Sequence, residues 1–302
     1  MKKGFGYLIG VDIGGTKTSI VVGSLKGEIL KKVKFPTPFS YKDTIAHSFL
    51  IINDYIEEFN NIYSIGISCG GPLNSKKGII ISPPNLPSFV NVEIVNEFEK
   101  RFNIPTFLDN DANACALAEW KWGNGKNFHN LIFLTFGTGL GAGLILNNKI
   151  YSGSNGNAGE VGHIRLNDNG PYCYRKNGSF ESFCSGSGIS KLYKMKYNDT
   201  LSTKEICQRA DDGNNKALKI IEESAINLGK GLSILVDLLN PDCIIIGSIY
   251  SRSENLFRDK MYEVLKREAL KESLNDLKIL PSGLKEQLGD MAALGVALNG
   301  VE

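Results

Sequence analysis

This chain has no long apolar run, no run of basic residues and no Cys-x-x-Cys pair. The first absence excludes a bilayer-spanning helix, and Met1-Lys2-Lys3-Gly4-Phe5-Gly6 lacks the apolar core of a secretion signal. The second leaves a nucleic-acid surface without support; a formal net charge of +2 argues neither for nor against an acidic partner. The six cysteines (69, 115, 173, 184, 207 and 243) are scattered, several in apolar segments such as Asp242-Cys243-Ile-Ile-Ile246. They read as reduced, mostly buried thiols, so the expected location is cytoplasmic. What remains is ordinary: 302 residues, 42% hydrophobic and 22% charged, enough for two globular domains.

One phrase occurs twice. Tyr7-Leu-Ile-Gly-Val-Asp12-Ile-Gly14-Gly15-Thr16-Lys17 leads into Thr18–Gly23, and Asn130-Leu-Ile-Phe-Leu-Thr135-Phe-Gly137-Thr138-Gly139 leads into Leu140–Leu146. Asp12 aligns with Thr135 and Gly14 with Gly137. Each copy is an apolar strand, a Gly/Thr turn and a second apolar strand. Such turns let backbone N–H groups approach an anion with no Cβ in the way. A Walker A loop does not fit: Gly125-Lys126 has Trp120 where the leading glycine belongs, and Asn127 follows the lysine. Gly137-x-Gly139-x-x-Ala142 fits a dinucleotide fingerprint loosely, but that loop must open a helix. Here Leu144–Tyr151 reads as strand, Asn-Asn turn and strand. Ordinary glycine hairpins account for either copy alone but not for the repetition, which points to two lobes gripping one polyphosphate.

The first half reads as strands 8–13, 18–23 and 28–35, a helix over 43–59 with Ile45, Phe49, Ile52 and Ile56 on one face, and strand 62–68. Gly70-Gly71-Pro72 reverses the chain, and Ser82-Pro-Pro-Asn85-Leu-Pro87 is a stiff loop. Helix 92–102, strand 104–108 and helix 112–121 follow. After the second hairpin, residues 152–180 form a long irregular stretch rich in Gly, Asn and Ser, a length that is usually functional. Helix 216–239 stops at Asn240-Pro241, strand 243–246 ends at Gly247-Ser248, and helices near 254–269 and 289–298 close the chain. The alternation predicts two mixed α/β lobes joined without a linker.

Asp109-Asn110-Asp111-Ala112-Asn113 sits where a strand ends and a helix begins, the edge at which α/β sheets bind ligands. Asp111 is placed to act as a general base toward a substrate hydroxyl; capping of the helix is the plainer reading, and both can hold. Gly159-Glu160-Val161-Gly162-His163 sets a carboxylate and an imidazole three apart, with Glu181 close by. Such groups match sugar hydroxyls, although a lone histidine is as often structural. Gly71 and Asn85 are weaker candidates, readily explained as loop geometry.

Asp12-Ile-Gly-Gly-Thr-Lys17, Asn110-Asp-Ala-Asn113, Gly137-Thr-Gly139, Ala158-Gly-Glu-Val-Gly-His163 and Ser185-Gly186 together resemble the ROK family (repressors, open reading frames, sugar kinases) nearly end to end. The resemblance implies a two-lobed, actin-like ATPase (ribonuclease H-like) α/β fold with a central cleft. Residues 1–112 with a C-terminal helix 290–302 would form the smaller lobe, and 113–289 the larger. It implies an ATP-dependent kinase in which Asp111 takes the proton from a sugar 6-hydroxyl. Gly71, Asn85, Asn110, Asp111, Glu160, His163 and Glu181 would bind the sugar. Gly14, Gly15, Thr16, Lys17, Gly137, Thr138 and Gly139 would cradle the phosphates, Gly247 and Ser248 would line the adenosine pocket, and Asp12 would favour Mg²⁺. Family regulators carry a winged helix-turn-helix ahead of the first phosphate strand; with eleven residues before Asp12, no DNA-binding repressor and no nucleic-acid partner is expected. A homo-oligomer, such as a dimer, is.

The sequence departs from the family at one place. Most members follow the glycine–histidine pair with a zinc cluster containing three thiolates, the histidine being the fourth ligand. Here Cys173-Tyr-Arg175-Lys-Asn-Gly178-Ser179-Phe180-Glu181 keeps only Cys173, with Arg175 and Ser179 near the other two places. A tetrahedral zinc site wants four N/S ligands, so zinc is not expected and something else must orient His163. Some relatives specific for N-acetylmannosamine also lack these cysteines, which favours that sugar; glucose or another hexose is the alternative. A non-catalytic sugar sensor on the same fold is the other class of reading.

Overall fold

Each strand–turn–strand phrase opens a sheet in the computed structural model, which describes residues 6–302. The first half runs β1 (Tyr7–Ile13), β2 (Lys17–Ser24), β3 (Ile29–Pro36), α1 (Tyr41–Glu58), β4 (Ile62–Cys69), the short strands β5 (Leu73–Asn74) and β6 (Ile79–Ile80), α2 (Ile94–Phe102), β7 (Thr106–Asn110) and α3 (Asp111–Trp122). The second phrase supplies β8 (Leu131–Leu134) and β9 (Ala142–Leu146), followed by β10 (Lys149–Ile150) and the small hairpin of β11 (Tyr172–Cys173) and β12 (Lys176–Asn177). Helices α4 (Phe180–Phe183), α5 (Gly186–Tyr197), α6 (Thr203–Asp211) and α7 (Asn215–Leu239) come next. The chain ends with β13 (Cys243–Ile246), α8 (Ile249–Arg252), α9 (Glu254–Glu268), β14 (Lys278–Pro281) and α10 (Leu288–Val301).

The repetition in sequence is a repetition in topology. The two large sheets run β3–β2–β1–β4–β7 and β10–β9–β8–β13–β14. In each, the hairpin pair is antiparallel (β1 with β2, β8 with β9). The strands beyond it add in parallel: β4 and β7 in the first sheet, β13 and β14 in the second. Gly139 leads into strand β9 and not into a helix, so the dinucleotide fingerprint is excluded by context as well as by spacing.

Two compact units result. One runs to Asn127 and adds Ile150–Ala158 and Glu286–Glu302; the other is Phe128–Lys149 with Gly159–Lys285. Helix α3 belongs to the first unit and packs on α10: a Cβ on Gly295 of α10 would stand 3.0 Å from the Ala118 nitrogen of α3. Helix α10 is buried on every side from Asp290 to Leu298, the pattern of a helix enclosed by its own unit. The predicted face of α1 also reaches the core, with Ile45 and Ile52 buried and Phe49 and Ile56 packed against them.

In the second unit, β13 is apolar and buried along its whole length, as a strand flanked on both sides by parallel partners should be. Asn214 caps the start of α7 by accepting from the backbone of Lys216 and Ala217. Asn240, at φ 42°, ends the helix before Pro241. Helix α6 was not anticipated, yet its start is written in the sequence: Ser202 and Glu205 form a reciprocal capping box.

Candidate active site

The carboxyl ends of the parallel strands in the first unit gather the acidic groups. Asp12 on β1 is the register partner of Ser68 on β4, which in turn pairs with Asp109 on β7. Asn110 caps α3, its side chain accepting from the Asn113 backbone at 2.8 Å. Asp111 is the first helical residue, exposed, with Oδ1 accepting from the Ala112 N–H at 2.9 Å. Capping and reactivity thus fall to neighbours. Beneath them, buried Asp109 accepts from the Asn110 backbone at 2.8 Å and from Asn113 Nδ2 at 2.9 Å. Burial pushes Asp109 up to about 6 against those two hydrogen bonds. It ties strand end to helix start and fixes the stem on which Asp111 stands.

Burial first, then the charges of Asp111 and Asp290, push Asp12 up to about 7; a hydrogen bond from Ser68 and the charge of Lys34 work the other way. Asp290 enters from the first turn of α10, accepting from Ser19 Oγ at 2.8 Å and pairing with Lys32. Sequence spacing gave no hint of Asp290, since its place depends on α10 returning to β1 and β2. Among the described residues no group of three or more His, Cys, Asp or Glu side chains is arranged to hold a metal ion. The negative charge that raises Asp12 nonetheless suits Mg²⁺, which takes one or two carboxylates and completes its shell with phosphates and water.

The first glycine turn closes with the Gly14 N–H donating to the Lys17 carbonyl at 3.1 Å, and Thr37 Oγ1 donates to the Gly14 carbonyl at 2.7 Å. Gly15, Thr16 and Lys17 are exposed. Asn85 lies against this turn: a Cβ on Gly15 would stand 2.7 Å from the Asn85 carbonyl oxygen. Gly71 faces open space and begins the cis Gly71–Pro72 peptide.

In the second unit, the Gly137 N–H donates to the Gly139 carbonyl at 3.1 Å, and the outward Gly137 carbonyl accepts from the Gly186 N–H at 2.7 Å. Thr138 is held from the side by Ser187 Oγ at 3.0 Å. Ser248, at φ 54°, sits beside the turn, its hydroxyl 3.4 Å from where a Cβ on Gly137 would be. Glu181 lies on the other flank, its Oε2 accepting from the Leu140 N–H at 2.8 Å. Glu160 and His163 bracket one short 3₁₀ turn with Oε2 and Nε2 4.0 Å apart, both half-exposed. The structure therefore groups Asp12 with Asp111, Gly15 with Asn85, Gly137 with Ser248, and Gly139 with Glu181.

A sequence model of the ROK family matches residues 8–299. The chain belongs to the ROK family. It is 32% identical over 280 residues to the glucokinase of Streptomyces coelicolor, covering 87% of this chain and 88% of that one. It is 30% identical over 319 residues to the xylose repressor of Caldicellulosiruptor bescii, covering 99% of this chain and 80% of that one. The crystal structure of a ROK glucokinase from Streptomyces griseus in complex with glucose and AMPPNP superposes with a TM-score of 0.79 at 29% identity, over 97% and 99% of the two chains. The duplicated sheets are thus the actin-like ATPase fold that the resemblance implied.

The segment where the family resemblance led us to look for zinc thiolates has its own contacts. Cys173 Sγ donates to Glu181 Oε1 at 3.2 Å; burial and that carboxylate raise its pKa, so it remains a thiol. Ser179 is buried and caps α4 by accepting from the Ser182 N–H. Tyr174, between them, was not singled out in the sequence. Its ring stacks on His163 with centroids 3.6 Å apart, and its hydroxyl donates to Glu181 Oε2 at 2.7 Å. A lone tyrosine in a stretch without periodicity leaves no sequence signal for either contact.

Proposed function

We propose that this ROK chain is a kinase that transfers the γ-phosphoryl group of ATP to the 6-hydroxyl of a hexose or N-acetylhexosamine. The observation that carries it is the placing of Asp111: an exposed carboxylate on the first turn of α3, after an Asn110 cap and beside Asp12. Phosphoryl transfer needs mainly positioning and charge neutralisation. Asp111 would orient the sugar hydroxyl and accept its proton. Gly71, Asn85, Asn110, Glu160, His163 and Glu181 would bind sugar hydroxyls. The turns Gly14–Lys17 and Gly137–Gly139 would meet the phosphates, with Gly247 and Ser248 toward the adenosine. Mg²⁺, held by Asp12 and the nucleotide, would supply charge neutralisation on the phosphate oxygens.

N-acetylmannosamine is the favoured sugar on the missing thiolates at Arg175 and Ser179. Glucose is the second reading, favoured by the Streptomyces coelicolor glucokinase. An ADP-release assay across N-acetylmannosamine, N-acetylglucosamine, glucose, mannose, fructose and allose tests both. The xylose repressor among the relatives keeps a sensor in view; sugar binding without ADP release from any member of the panel would replace the kinase by that sensor.

A further inference from the structure

We propose that Tyr174 is a positioning residue for sugar recognition, its ring setting the plane of His163 and its hydroxyl aiming Glu181. The proposal rests on the reading that these two residues bind the sugar. The hairpin β11–β12 turns through Tyr174 and Arg175 alone, with φ of 52° and 59°, and closes on the Cys173–Lys176 pair. Two successive non-glycine residues at positive φ are unfavourable and persist only where the surroundings fix them. What that turn achieves is the position of one side chain. Tyr174 lies on the imidazole with 26° between planes and reaches past it to Glu181.

The hydrogen bonds to Glu181 show what this leaves available. Oε2 accepts from Tyr174 and from the Leu140 N–H, which fills both of its lone pairs. Among the described residues Oε1 accepts from Cys173 alone, leaving one lone pair of fixed direction. A sugar hydroxyl donating there would meet a carboxylate that three donors have already oriented. His163, whose ring edge is half-exposed, cannot spin freely while one face is covered by Tyr174. A single aromatic thus couples an imidazole on a 3₁₀ turn to a carboxylate on α4, and pre-organised side chains of this kind bind without a further ordering cost.

The test uses the full chain with Tyr174→Phe and Tyr174→Ala, titrated calorimetrically with the sugars of the panel and with ATP, and the histidine ring protons are followed by NMR. There are three histidines, and His163→Gln assigns the relevant signal. Tyr174→Phe keeps the stack and loses one hydrogen bond to a carboxylate, so the sugar Kd rises about tenfold. Its His163 ring protons stay where they were. Tyr174→Ala weakens the sugar further and moves those protons downfield as the ring-current shift disappears. ATP Kd holds in both. Wild-type sugar affinity in Tyr174→Phe, equal losses for sugar and ATP, or a parent chain that binds no sugar of the panel would each overturn the proposal. Sugar binding that weakens as stated in a chain that releases no ADP would uphold Tyr174 and remove only the kinase reading.

Discussion

The carbonyl oxygen of Ala293 sits 2.2 Å from where a β-carbon on Gly66 would stand. The Ala297 nitrogen is 2.3 Å from the same point, so both neighbours are backbone atoms of α10 that no rotamer change can move aside. Gly66 on β4 is the register partner of Gly10 on β1, and a Cβ on Gly10 would meet Ala293 and Leu294 at 3.0 Å. The paired glycines make a notch in the sheet into which α10 settles. Gly66→Ala should therefore destabilise the protein by about 3 kcal/mol, the upper end for overpacking a core. Gly70→Ala, where nothing lies within 4 Å of the added carbon, should change stability by less than about 0.5 kcal/mol. Urea unfolding of both variants reads the difference.

Asp12 gives stability a pH dependence of defined sign. Its folded value of about 7 exceeds the ordinary 3.8, so between those values the folded state binds the extra proton. Stability contributed by the neutral carboxyl is complete below the lower value and is lost as pH rises through the upper one. At about 1.4 kcal/mol per pKa unit the loss has a ceiling of about 4 kcal/mol. Buried Asp109, raised to about 6, adds in the same direction. In metal-free protein, Asp12→Asn should reduce the fall in stability with rising pH and be more stable than the parent above the upper value. Asp290→Asn should move the fall to lower pH, because removing that negative charge eases the ionisation of Asp12 and lowers its pKa; urea midpoints across the range read the shift.

How much of this was legible in the sequence depends on the range of the interaction. The repeated phrase gave both sheets, since each strand's apolar run and each Gly/Thr turn are local. The stop of α7 at Asn240 and Pro241 and the cap of α3 were local too. Asp290 was hidden because its meaning depends on α10 packing back against β1 and β2. Tyr174 was hidden because its partners, His163 and Glu181, lie on opposite sides of an irregular stretch. The commitment of Glu181 to Leu140 was equally unreadable, for it follows from the path of the chain after Gly139 and not from residue type.

Asn110 can be tested for two roles at once. Losing its cap in Asn110→Ala should cost about 1 kcal/mol of stability. Asn110→Ser restores a capping oxygen and should recover most of that. If Asn110 also touches the sugar, the serine variant will regain stability while its sugar KM stays high. Recovery of both would leave Asn110 as a cap alone. Thermal unfolding and sugar saturation curves on the same preparations separate the outcomes.

The sharpest test falls on Asp111. Asp111→Asn keeps the size of the side chain and an oxygen able to accept from the Ala112 N–H, as Oδ1 does at 2.9 Å. It removes the capacity to accept a proton from the sugar. Loss of general-base help should lower kcat by about 10²–10⁴-fold. Sugar affinity, measured by calorimetry, should change little, because the hydrogen bonds that orient the ring come from other residues. A variant that turns over at the parental rate would assign the proton to another group and leave Asp111 as a helix-start carboxylate. One that loses sugar binding in step with kcat would make it a binding residue with no separate part in the chemical step.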